Sequence, residues 1–168
     1  QSGNPKRIDD EYVRKGVVQI FMEVEPLAGK RYVAITERRT QIDWAHHIKR
    51  MLDEHYPEAV KVRLVMGNLN THNIASLYKA FEPEEARRLA SRLDIHYTPK
   101  HGSWLNIAEI EFSALKGQCL DRRIPDILSM QSEVAAWEQD RNNRVCKIDW
   151  QFAAADARIK LKRLYPKL

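Results

Sequence analysis

The stretch from Leu93 to Cys119, LDIHYTPKHGSWLNIAEIEFSALKGQC, leaves the chain few conformations. Ile95-His96-Tyr97 reads as a short strand with Asp94 ahead of it. Thr98 to Ser103 follows, and its Pro99 and Gly102 exclude both a strand ladder and a helix. From Trp104 onward, apolar residues at Leu105, Ala108, Phe112, Leu115 and Cys119 recur at helical spacing, with Ser103 placed to cap the first turn. Glu109 and Glu111 fall in the early turns of that helix. A loop delivering such a helix is one way to put an acid at the end of a sheet; the plain alternative is that both glutamates are solvated. At about 100° per residue the two flank the Leu105–Phe112 stripe on opposite sides, so helical geometry does not choose between them.

The rest of the chain reads in the same terms. Residues 1–16 are polar and carry Gly3, Pro5 and Gly16, which reads as an arm, with Asp9, Asp10 and Glu11 in a solvated turn. Val17 to Val24 and Arg31 to Thr36 read as strands joined by the turn Pro26-Leu27-Ala28-Gly29, an antiparallel hairpin. Thr40 caps a helix from Gln41 to about Tyr56, with Ile42, Ala45, Ile48, Met51 and Leu52 inside. His46 and His47 are adjacent on it and do not share a face, which makes them a poor metal pair. Lys61 to Met66 is short and apolar, which suits a buried strand, and it ends at Gly67-Asn68. Helices follow at Asn73 to Phe81 and, opened by Pro83, to Arg92. After Pro125, Leu128 to Arg144 is amphipathic with Met130, Val134 and Trp137 facing inward. The last segment, Ala153 to Tyr165, is a strongly basic helix with Arg158, Lys160, Lys162, Arg163 and, just beyond it, Lys167 against the single acid Asp156.

These elements make an α/β chain of 168 residues, enough for one domain with a real core: an arm over 1–16 and a single domain over 17–168. No apolar run approaches a membrane span of roughly 18 residues. Cys119 and Cys146 form no CxxC pair and read as reduced cytoplasmic thiols. A formal charge of +5 leans towards an anionic partner such as nucleic acid. Gln1 is not an initiator methionine, so the chain reads as cut from something longer.

LNIAE within YTPKHGSWLNIAEIEFSAL resembles the third signature block of DDE transposases of the mariner superfamily, in its bacterial insertion-sequence branch. LVMGNLNTH, Leu64 to His72, resembles the second block of that family. FMEVEPLAGKRYVAITERRT, HYPEA, EEARRLA, CLDRRIP, EVAAWE and DARIKLKRLYP extend the similarity over nearly the whole chain. The resemblance implies a ribonuclease-H-like fold and DNA cleavage and strand transfer at insertion-element ends. It implies two divalent ions, Mg2+ or Mn2+, about 3.5–4 Å apart and held by three carboxylates. Its partners are element ends and target DNA, with a homodimer as a further expectation, no membrane, and a cytoplasmic, nucleoid-associated location.

Carried onto this chain, the resemblance makes Glu109 the third acid. Gly67 stands where the family has its second aspartate, and a glycine has no side chain with which to ligate a metal. Val17–Val24 corresponds to the family's second strand, so the first, central strand and its aspartate are expected upstream of Gln1. With one carboxylate of three, the expectation is a chain that binds no metal tightly and is catalytically inactive. Asn68, Asn70, Thr71 and His72 are candidates to hydrogen-bond phosphate; Lys100, His101 and Trp104 are candidates to meet phosphate and base. Arg158, Lys160, Lys162 and Arg163 complete the DNA-binding candidates. One alternative is a non-catalytic DNA-binding or protein-interaction remnant; another is an unrelated nuclease using Asp94, Glu109 and Glu111.

Overall fold

The computed structural model describes residues 16–99, 105–160 and 162. In chain order the elements are β1 (Gln19–Glu25), β2 (Lys30–Thr36), α1 (Gln41–Arg50), β3 (Val62–Met66), α2 (Ala75–Ala80), α3 (Pro83–Ser91), β4 (Leu93–Tyr97), α4 (Ala108–Leu115), α5 (Ile127–Asn143) and α6 (Ala154–Lys160). They form two compact units. One gathers β1 up to Phe21 with Ala34–Tyr97, and the other gathers Met22–Val33 with the described residues from Thr98 onward. β1 pairs with β2, and β3 with β4, as two separate two-stranded sheets.

In the first unit, α1 starts where the sequence says it should. Thr40 Oγ1 accepts from Asp43 N at 3.2 Å, and Asp43 Oδ2 accepts from Thr40 N at 2.7 Å, a reciprocal cap. The Thr40 hydroxyl, which also donates to Asp43 Oδ2 at 2.7 Å, and then the Thr40 N–H hold the Asp43 carboxyl below its usual range. The buried face of α1 is Trp44, Ala45 and Ile48, continued by Met51 and Leu52 in a widened last turn, Met51–His55. Ile42, expected inside, is half exposed: it sits about a third of a turn away from that face, and Trp44 takes the place. Met66, Leu77, Ala86, Leu89, Leu93 and Phe21 complete the core around α1.

β3 and β4 run parallel in the register Val62↔Leu93 through Met66↔Tyr97. The expectation of a wholly buried β3 is corrected. Arg63 and Val65 are exposed while Met66 is buried, because Arg63 turns the run into an alternating strand with one wet face. α3 is opened by Pro83 and tied to α1 by charge. Asp53 accepts from Arg88 Nη1 and Nη2 at 2.9 and 2.8 Å, and Lys49 bridges Asp53 and Glu85. Arg88 first and Lys49 second hold the Glu85 carboxyl down to about 2.

In the second unit, a four-residue turn joins the hairpin strands, which therefore run antiparallel. Gly29 in that turn has φ +67°, and a Cβ there would lie 2.8 Å from the Val145 carbonyl carbon. α5 begins at Ile127 on the cap of Asp126, whose Oδ1 accepts from Ser129 N at 2.8 Å. It buries Val134 and Trp137, the latter donating from Nε1 to Gln118 Oε1 at 2.8 Å.

Candidate functional site

α4 begins at Ala108, whose N–H donates to Asn106 Oδ1 at 3.1 Å. The expected start at Trp104 under a Ser103 cap falls, with Lys100 and His101, outside the described residues. Glu109, in the first turn, is exposed. Glu111 is only 1% exposed, which corrects the reading that both acids are solvated. The buried line of α4 and the turn after it runs Glu111, Leu115, Cys119, while Phe112 is half-buried.

Two guanidinium groups explain how a carboxylate sits inside. Glu111 Oε1 accepts from Arg141 Nη2 at 2.9 Å, and Oε2 accepts from Arg141 Nε at 3.1 Å, a two-pronged pair. Arg31 Nε lies 3.0 Å from Glu111 Oε2 as an ion pair without the alignment of a hydrogen bond. Arg31 is fully buried and spends its other donors on backbone: Nη1 on Gly29 O at 3.1 Å and Nη2 on Cys146 O at 2.6 Å. Asn142 brackets the Arg31 peptide as a neighbouring strand would, accepting from its N at 2.9 Å and donating to its O at 2.7 Å. Arg141 also lies over the Trp137 ring, 5.4 Å from its centroid. With both oxygens occupied, Glu111 is not a free ligand, so the nuclease reading through Asp94, Glu109 and Glu111 is corrected. Asp94 is itself engaged, 3.1 Å from Arg63 and 3.2 Å from His96.

Gly67 follows β3 in the first unit. Its φ is not in the left-handed region, and an added Cβ would meet nothing within 4 Å. The backbone therefore does not require glycine there. The loop beyond it is folded on itself, Leu69 N donating to Gly67 O at 2.9 Å and His72 N to Leu69 O at 2.8 Å. Asn68 and Asn70 are exposed. The His72 ring turns inward, stacked on Trp44 at 5.8 Å, and its carbonyl accepts from Tyr97 Oη at 3.0 Å. Burial, and then the charge of Arg39, depress its pKa to about 4. His47 stacks on Phe21 at 4.8 Å, and burial first, then Arg50, take it down to about 3. Both rings are therefore neutral packing elements at neutral pH.

α6 is capped by Asp156, whose Oδ2 accepts from Ala153 N at 2.8 Å. Arg158 and Lys162 are exposed. The side chain of Lys160 and all of Arg163 lie outside the described residues, as does the stretch the basic helix was expected to cover up to Tyr165. Among the described residues no group of three or more His, Cys, Asp or Glu is gathered closely enough to hold a metal ion. The donor set does not fit a two-ion carboxylate site: Gly67 offers no side chain, and Glu111 is already paired. Nor is any helix among the described residues long and apolar enough to cross a membrane.

The fold and its sites define a mixed α/β chain with small sheets, an asparagine-bearing loop at one strand end and an exposed acid at the head of a late helix. The family model of the DDE superfamily endonuclease matches residues 1–131 of it, and the chain belongs to that family. Its members act on DNA and generally depend on divalent metal ions. No curated protein and no solved structure matches the chain. Arg31, Arg141 and Asn142 escaped sequence reasoning. Arg31 opens an apolar strand, and nothing local marks it as buried beside a residue 80 or more positions away.

Proposed function

We propose that this chain is the catalytic-domain fold of a transposase of the mariner superfamily, in its bacterial insertion-sequence branch, and that as written it does not cleave DNA. One observation carries the reading: Gly67 stands at the end of β3, before Asn-Leu-Asn-Thr-His, in an open position where the backbone does not ask for glycine. The family's second aspartate belongs there, and this side chain is absent. Glu109, exposed in the first turn of α4, is the third acid, and Asn68 and Asn70 are exposed beyond the end of β3. The ribonuclease-H-like form is supported by the order hairpin, helix, strand, helices, parallel strand, helix. A parallel pair standing alone is an unusual sheet.

Mn2+ titration followed by the ion's own electron paramagnetic resonance tests the reading. The Gly67 chain is expected to bind Mn2+ only weakly, and Gly67→Asp to bind it more tightly. Tight binding by the Gly67 chain that Glu109→Ala abolishes would overturn it.

A second reading, a DNA-binding remnant without catalysis, is favoured by the exposed cations Arg158 and Lys162 on and after α6. Binding through them is sequence-independent, and its logarithm falls with log salt by about 0.9 per phosphate neutralised. Charge reversal at both positions is expected to lower that slope by about 2. An unchanged slope would leave the helix without a DNA role.

A further inference from the structure

Glu111 presents a physical puzzle. A carboxylate buried between two guanidinium groups loses hydration that its ion pairs only roughly repay, and apolar residues of the same volume would hold the helix at least as firmly. What the ion pair supplies and apolar packing does not is direction. α4 needs direction, because only one of its apolar side chains, Leu115, is fully buried: Ile110 is 44% exposed, and Ile107, Ala108 and Phe112 are all partly exposed. Around the helix axis these side chains spread over more than half a turn, so packing alone leaves the rotation of α4 poorly specified.

We propose that Glu111 is a positioning residue: clamped by Arg31 and Arg141, it fixes the rotation of α4 and thereby turns Glu109 outward. The proposal rests on the reading of Glu109 as the acid of the site. Residues two apart on an α-helix differ by about 200° in direction. Holding Glu111 inside therefore places Glu109 about 160° from it, on the far side of the helix. The clamp is itself anchored. Arg31 is pinned to Gly29 O, Cys146 O and Asn142, so the hairpin turn and the end of α5 provide the fixed frame. Arg141 is pinned by the Trp137 ring and holds both carboxylate oxygens. The Glu109 direction is thus set by residues that hold the opposite side of α4.

The test places a nitroxide on Glu109→Cys in the full chain, with Cys119→Ala and Cys146→Ser removing the native thiols. Four proteins are compared: the labelled parent, Glu111→Gln, Glu111→Gln with Arg31→Gln, and Leu115→Ala. The single Glu111→Gln change strands the fully buried Arg31 guanidinium, and that protein need not fold; the double change removes the Glu111 and Arg31 charges, leaves only the partly exposed Arg141, and keeps the test open. The Leu115→Ala protein loses core packing on the same helix while keeping the clamp. The expected result is one mobile spectral component in the parent and in Leu115→Ala, against two components, one immobilised, in the double variant. Amide exchange over 109–113 is expected to be about tenfold faster in the double variant than in Leu115→Ala at matched stability. A single mobile component in the double variant would overturn the proposal, as would two components in Leu115→Ala. Neither result depends on Glu109 binding a metal, which the Mn2+ titration reads separately in unlabelled protein.

Discussion

Gly29 and Gly67 are the same residue in opposite circumstances. Gly29 holds φ +67° with the Val145 backbone 2.8 Å from where a Cβ would sit, whereas Gly67 has an ordinary backbone and open space. Gly29→Ala is expected to lower stability by about 2 kcal/mol or more through left-handed strain and the clash. Gly67→Ala is expected to shift stability by less than about 1 kcal/mol, on the stabilising side. Urea unfolding of the two variants checks the contrast, and equal losses would contradict it. His47 gives a second expectation at this scale. Its folded pKa, about 3, lies below the unfolded 6.5. The unfolded chain therefore takes up the proton first, and the stability this ring contributes is full above 6.5 and is lost as pH falls towards 3. Between pH 6.5 and about 5 the loss should reach roughly 2 kcal/mol, before most carboxylates titrate. His47→Phe, which keeps the stack on Phe21, should flatten that part of the stability–pH curve. An unchanged slope would mean that another group is responsible.

At the scale of the elements, local pattern and local chemistry carried far. The cap Thr40, the proline opening α3, the break at Gly67-Asn68 and the turn at Gly29 are all short-range signals, and the structure places ends of elements at each. What was not legible depended on residues distant in sequence. Trp44, by contrast, was open to helical spacing alone, since Ile42 lies about a third of a turn from the face of Ala45, Ile48, Met51 and Leu52 and Trp44 lies nearer to it. Glu111 and Glu109 were equivalent until Arg31 and Arg141, 80 and 30 positions away, claimed one of them. A stability comparison follows. Glu111→Ala leaves the Arg31 charge buried without its counter-ion and is expected to lose about 3–5 kcal/mol. Glu109→Ala, on the exposed side, is expected to stay within about 0.5 kcal/mol. Thermal unfolding of the pair measures both. A small loss for Glu111→Ala would show that the clamp contributes little to holding the fold.

At the scale of the whole molecule, family membership and chemistry point in different directions. The chain belongs to the DDE superfamily endonucleases over residues 1–131, and on the reading proposed above Gly67 leaves the end of β3 without an acid to hold a metal. The signature around it survives: Asn68, Asn70, Thr71 and His72 follow Gly67 in order, and Glu109 stands exposed. The proposed site is legible in the sequence only as a pattern with a gap. Its burial and rotation were not, since they depend on Arg31, Trp44 and Trp137, which lie outside both signature blocks. On the function proposed above, this gap removes catalysis. The most direct measurement is strand cleavage of a supercoiled plasmid and of a linear duplex carrying an element end, in Mg2+ and in Mn2+, by the purified chain beside its Glu109→Ala variant. The expected result is no nicking above background by either protein in either metal. Metal-dependent nicking by the Gly67 chain that Glu109→Ala abolishes would contradict the account.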